Sequence, residues 1–210
     1  MSRAAQATAW AAILVLTVLA MRAEAVDPSV HRLHRTTTHG QPSAEGYAIP
    51  VRRRVTYSVI TRGRVTASLA EFRRLAQQTY ADPRGWRYGG VEFRRVRRGG
   101  DFTLVLAAAG AVPSFSSSCS ATWSCRVGRF VIINQDRWLH ASPAWNAAGR
   151  SLRDYRHLVV NHETGHWLGL GHASCPRRGS KAPVMMQQSK GTGGCRLNPW
   201  PLPREAARVR

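Results

Sequence analysis

Lysine is nearly missing from this chain of 210 residues: Lys181 and Lys190 stand against 29 arginines. Acidic residues are also scarce, 11 against 31 basic ones, and the formal net charge is +20. A basic excess of that size invites a nucleic-acid reading. The arginines are scattered along the chain and form no single tract, however, and the preference for Arg over Lys fits a coding bias. The charge is therefore read as a solvated surface, with no nucleic acid as partner. Its long-range field would attract an anionic cell-envelope polymer or an acidic substrate. Long apolar runs are lacking too. The run from Ala7 to Met21 falls short of the roughly 20 residues a spanning helix needs, so no stable membrane span is expected once a leader is removed. No C-x-x-C pair occurs, which argues against a thiolate zinc site. No internal repeat is visible.

What the N-terminus does have is Arg3, that short apolar run, and Ala23-Glu24-Ala25. Charge, hydrophobic core and A-x-A describe a secretory signal peptide over residues 1–25. Retention as an anchor is the alternative; either way the rest of the chain is expected outside the cytoplasm, secreted or associated with the envelope. The cysteines agree. Cys119, Cys125, Cys175 and Cys195 are an even set in an exported protein, and four cysteines allow three connectivities. Short loops favour Cys119 with Cys125, around a Ser-rich stretch holding Trp123, and Cys175 with Cys195. Residues 26–50 are polar, with Pro28, Gly40, Pro42 and Gly46, and read as a flexible linker or short pro-segment. His31, His34 and His39 in it are taken as incidental. The segment holds no Cys, so it offers no thiol to silence a metal site.

Residues 162–172 carry the chemistry: His162-Glu163-Thr164-Gly165-His166-Trp167-Leu168-Gly169-Leu170-Gly171-His172. His162 and His166 are four apart, so on a helix they share a face and can hold one ion together. Glu163 adjoins the first of them and can reach a water on the metal without taking a coordination position. Gly169 tolerates positive φ and lets the chain leave the helix sharply, which brings His172 back as a third ligand. Three protein ligands leave a fourth position for water, the layout of a catalytic zinc site. Chance agreement at five fixed positions, three of them His, is on the order of one in ten million per start position.

The pattern H-E-x-x-H-x-x-G-x-x-H resembles the zinc-binding signature of the metzincin metalloproteases. That resemblance implies a methionine turn beneath the metal. Met185, in Ala182-Pro183-Val184-Met185-Met186, is assigned to it, with Met186 as runner-up. Several metzincin groups carry a Tyr shortly after this methionine; here Met186 and Gln187 follow, so no Tyr ligand or oxyanion donor stands at that point. From about Val51 to Pro201 the chain also resembles a family of secreted bacterial metzincin-like proteins without an assigned substrate. That likeness rests on Ala81-Asp82-Pro83-Arg84-Gly85-Trp86, Val131-Ile132-Ile133-Asn134 with Arg137-Trp138, Val160-Asn161-His162-Glu163, His172-Ala173-Ser174-Cys175-Pro176, Pro183-Val184-Met185 and Gly194-Cys195-Arg196-Leu197-Asn198-Pro199-Trp200-Pro201.

Patterning supplies the frame. A β-rich stretch covers Arg54–Thr61, helical spacing of Leu69, Phe72, Leu75 and Ala76 covers Ala67–Tyr80, and Asp82-Pro83 ends that helix. Strands are expected at Val91–Val96, Phe102–Ala108 and Phe130–Asn134, with a long loop over 110–128. Ser151 is placed as N-cap of the last helix, with Asp154 in its first turn and no proline from Leu152 to Leu170. The order β-α-β-β-β-α implies an α+β, metzincin-like (zincin) domain over residues 51–203: a twisted mixed sheet, a backing helix, a zinc-binding active-site helix and a methionine turn. Residues 204–210 are left as a tail. Trp86, Trp138, Trp145 and Trp200 are assigned mainly to packing, and Trp123 is singled out for substrate contact. The expected function is a secreted zinc endopeptidase with Glu163 as general base. A peptide or protein substrate would pair with an edge strand among residues 102–134. A zinc amidase acting on a peptidoglycan-type amide and a non-catalytic surface-binding module are the alternatives; the intact Glu163 weighs against the module.

Overall fold

The computed structural model describes residues 49–209. The leader assigned to 1–25 and the segment holding His31, His34 and His39 lie outside the described residues. Strand β1 (Arg53–Arg62) buries Val55, Tyr57 and Val59 on alternate positions, as a half-covered strand should. Helix α1 (Leu69–Ala81) starts at Ser68, whose hydroxyl accepts from the amide of Glu71, and stops at Asp82, where Pro83 disfavours further helix. It buries Phe72, Leu75, Ala76 and Tyr80 and returns the chain to β2 (Val91–Arg95), parallel to β1.

Strand β3 (Phe102–Ala107) follows β2 after only a short connection, although both are parallel to β1. The register explains this. β2 pairs with Arg53–Tyr57 and β3 with Tyr57–Arg62, so the chain passes across β1 near Tyr57 and continues forward. No long return crossover is needed. β5 (Phe130–Asn134) adds in parallel to β3, and β4 (Cys125–Val127) runs antiparallel along β5 at the edge. The result is a mixed five-stranded sheet of order β2-β1-β3-β5-β4 within an α+β fold.

One face of the sheet meets α1 and α4 (Leu152–Trp167) in a large core that includes stacked or edge-on contacts among Tyr57, Tyr80, Phe93 and Phe102. The other face is closed over β3 and β5 by Val112, Phe115 and Cys119. β3 is therefore buried along its whole length, and its apolar run of Leu104-Val105-Leu106 follows. Two short helices, α2 (Gln135–His140) and α3 (Pro143–Ala147), link β5 to α4 and bury Trp138 and Trp145 completely. Beyond residue 203 the chain keeps packing. Helix α5 (Pro203–Ala206) and the turn over Ala207–Val209 bury Glu205, Ala206 and Val209 against the domain.

Candidate metal centre

Helix α4 is capped by Ser151, whose hydroxyl accepts from the amide of Asp154 at 3.0 Å. It is buried on more than one side, from Tyr155 to Gly165, because it runs between the sheet and the C-terminal segments. The helix ends at Trp167, just before the glycine expected to turn the chain out of it. Gly169 follows with φ +95°, a conformation that costs other residues a steric clash. This turn carries His172 back over the helix end.

The three imidazoles converge. His166 Nε2 stands 3.2 Å from His162 Nε2 and 3.2 Å from His172 Nε2, and their ligand atoms all lie within 4.8 Å of one another. The opposite nitrogens fix the protonation. His162 Nδ1 lies 2.8 Å from the carbonyl of Val184, and His166 Nδ1 lies 2.8 Å from that of Leu170. A carbonyl only accepts, so both Nδ1 atoms carry the proton. Burial, reinforced by the neighbouring His166, pushes His162 down to about 3, and burial also lowers His166, so both rings are neutral near pH 7. Their Nε2 atoms then present lone pairs to each other at 3.2 Å, which no hydrogen bond can satisfy. A cation between them does. Nitrogens bound at about 2.0–2.1 Å to a tetrahedral divalent ion stand about 3.4 Å apart, close to the separations found. Anchoring of the distal N–H to a carbonyl is the usual support of a metal-binding histidine. His162, His166 and His172 could therefore hold a metal ion.

Glu163 faces the same cleft and is 7% exposed. Burial pushes its carboxyl up to about 8, with Arg126 opposing from β4. Its side chain forms no hydrogen bond with another side chain or the backbone among the described residues, so it is free to act on a small molecule in the cleft. The cleft encloses about 330 Å³. Its floor is one face of α4, with Tyr155, Leu158 and Val159 beside the histidines; one wall is the loop carrying Trp123 and leading into β4, and the other is Met186–Lys190. The Tyr155 hydroxyl meets Ser189 Oγ at 2.9 Å and ties floor to wall.

Met185 packs against α4 at Gly165, the residue before His166. A Cβ at Gly165 would lie 2.3 Å from Met185 Sδ and 2.8 Å from Trp86 Cζ2, so the glycine within the motif is there for close approach. Gly165→Ala is expected to destabilise the protein by about 1–3 kcal/mol, the usual range for overpacking, although Ala is the better helix former by roughly 0.5–1 kcal/mol. Denaturant unfolding checks this. The loss should shrink in a Met185→Ala background, and an unshifted or raised midpoint for the single variant would refute the contact.

Disulfides join Cys119 to Cys125 and Cys175 to Cys195. The first closes the Trp123 wall and the second staples the stretch holding Met185 and Lys190. Within that stretch the Gln188 amide donates to the carbonyls of Pro183 and Asn198 and accepts from the Asn198 amide. Of the tryptophans, Trp123 lines the cleft, while Trp86, Trp138 and Trp145 are fully buried and Trp200 nearly so.

Three features of the centre escape a linear reading. The carbonyls of Val184 and Leu170 orient the histidines. Glu205 receives the amides of Val184 (2.9 Å), Met185 (2.9 Å) and Leu202 (2.8 Å) and so fixes the turn from outside. Arg126 and Lys190 flank the cleft. Glu205 left one faint signal, as a rare acid near the end of an arginine-rich chain. A protein-family model, described as a protein of unknown function (DUF3152), matches residues 40–194. No curated protein matches the chain.

Proposed function

The chain belongs to the family DUF3152, whose function is unknown, and from that premise we propose that it is a zinc-dependent endopeptidase of the metzincin type. The observation that carries the reading is the convergence of three imidazole Nε2 atoms beside a buried, unpaired carboxylate in an open cleft. His162, His166 and His172 would hold the ion, with Val184 and Leu170 holding two of the rings in the right tautomer. Zinc bound there supplies a Lewis acid for the scissile carbonyl and makes water acidic enough to react near neutral pH. Glu163 takes the proton of the attacking water at a carboxylate oxygen and delivers it to the nitrogen of the leaving amine. Burial favours this exchange, because it keeps the carboxyl within reach of neutral pH. Met185 supports the histidines from below and takes no part in proton transfer.

Among the described residues β4 is an edge strand that pairs only with β5 and borders the cleft, and an extended peptide would add along its free side as a further strand. Two disulfides suit an oxidising compartment outside the cytoplasm, and no helix among the described residues is long and apolar enough to cross a membrane. The protein is accordingly proposed to be secreted.

The test combines metal analysis with cleavage. Purified protein is expected to carry one zinc per chain, to lose it in His166→Ala, and to cut members of a random peptide library only without chelator. A zinc-free protein, zinc binding undiminished in His166→Ala, or cleavage that survives chelation would overturn the proposal.

A further inference from the structure

The cleft carries one acid, Glu163, and cations on both sides of it. Arg126 projects from β4, and its charge reaches Glu163 and His166. Lys190, one of only two lysines in the chain, lies on the opposite wall, where its charge reaches His172. Behind Trp123 stands Arg137, whose guanidinium carbon is 5.8 Å from the indole centroid, with Lys190 Nζ at 6.0 Å. Arg137 Nε is buried without a hydrogen-bond partner.

Most of the described acids are engaged away from these cations. Glu71, Asp82, Glu92 and Asp154 pair with Arg156, Arg84, Arg54 and Arg150. Asp101 receives the amide and hydroxyl of Thr56, and Glu205 is held by backbone amides. Among the described residues no carboxylate forms an ion pair with Arg126, Arg137 or Lys190. A substrate entering the cleft therefore meets positive charge on both walls, and a negative group close to the cut would complete the site.

Resting on the metallopeptidase reading above, we infer that Arg126 and Lys190 are specificity-determining residues that bind a substrate carboxylate within a few residues of the scissile bond. The carboxylate is either an Asp or Glu side chain or a free C-terminus. The cations are exposed, so each contact is screened and modest, and the two together favour an acidic peptide over its amide counterpart by about tenfold at low salt.

Zinc-loaded protein is incubated with a mixed peptide library in two forms, C-terminally free and amidated, and the cuts are mapped by mass spectrometry. Acid enrichment that persists in the amidated library assigns the carboxylate to a side chain; enrichment lost on amidation assigns it to the C-terminus. Lys190→Glu and Arg126→Glu should each cut the preference several-fold, whereas Arg73→Glu, the same charge change on the exposed side of α1, should leave it intact. Cleavage without acid enrichment, or a preference that neither reversal moves, overturns this inference and leaves the peptidase standing. A wild type that cuts nothing overturns the peptidase instead. Binding then decides the specificity: zinc-loaded Glu163→Gln should bind a Glu-containing peptide about tenfold more tightly than its Gln counterpart, or a free C-terminus about tenfold more tightly than its amide, and equal affinities within both pairs would sink the proposal.

Discussion

Glu163→Gln is expected to slow hydrolysis by about 10²–10⁴-fold, the usual cost of losing a general base, with the metal still bound. Glutamine matches the carboxylate in shape but accepts no proton near neutral pH. The three imidazoles and the carbonyls of Val184 and Leu170 that orient them are untouched by the change. Folding should survive, because Glu163 forms no side-chain hydrogen bond among the described residues and glutamine keeps its size. The measurement is turnover of any peptide cut by the wild type, with zinc content determined on the same sample. Retained zinc with lost turnover separates a proton-transfer role from a structural one. Turnover at the wild-type rate would remove Glu163 from the mechanism. The same variant also tests the surface-binding alternative, since a protein that only binds its ligand would bind it equally well after the substitution.

The residues of this centre were legible for a local reason. His162, Glu163 and His166 lie within one helical turn, and Gly169 sits where the backbone needs positive φ, so spacing alone carries their geometry. The N-cap at Ser151 and the strands β1, β3 and β5 also follow from patterns a few residues long. What the pattern missed depends on distance along the chain. β4 hides in a loop of Ser, Thr and Cys because three residues give no periodicity; only pairing with β5 and the bridge to Cys119 define it. α2 and α3 are too short for a helical stripe and owe their place to the buried Trp138 and Trp145. The segment after residue 203 looks like a tail because its anchors are single side chains, Glu205 and Val209. Each acts on residues far away: Glu205 on the Met185 turn, and Val209 next to Gly89.

Glu205→Ala is expected to cost about 3–5 kcal/mol and to weaken metal binding together with the fold. The carboxylate, 6% exposed, receives the amides of Val184, Met185 and Leu202. Removing it strands two fully buried amides and a third at the helix start, and each unmet buried donor costs roughly 1–3 kcal/mol. Against a typical domain stability of about 5–15 kcal/mol, that is a large share. The consequence reaches the metal because Val184 does two jobs. Its amide is held by Glu205, and its carbonyl receives the His162 Nδ1 proton. A turn that loosens at Val184 frees the ring of His162, and losing such support for a ligand typically lowers metal affinity about 10–100-fold. Glu205→Gln should fall between wild type and Ala, since the amide keeps one acceptor but turns a donor toward a backbone N–H. Glu92→Ala serves as control, because it removes only an exposed pair with Arg54 and should shift neither property by more than about 1 kcal/mol. Denaturant unfolding of the metal-free proteins gives the stability, and competition with a chromophoric chelator gives the affinity. A stability loss under about 1 kcal/mol, or unchanged affinity in a clearly destabilised Glu205→Ala, would break the proposed link from the C-terminal segment through Val184 to His162.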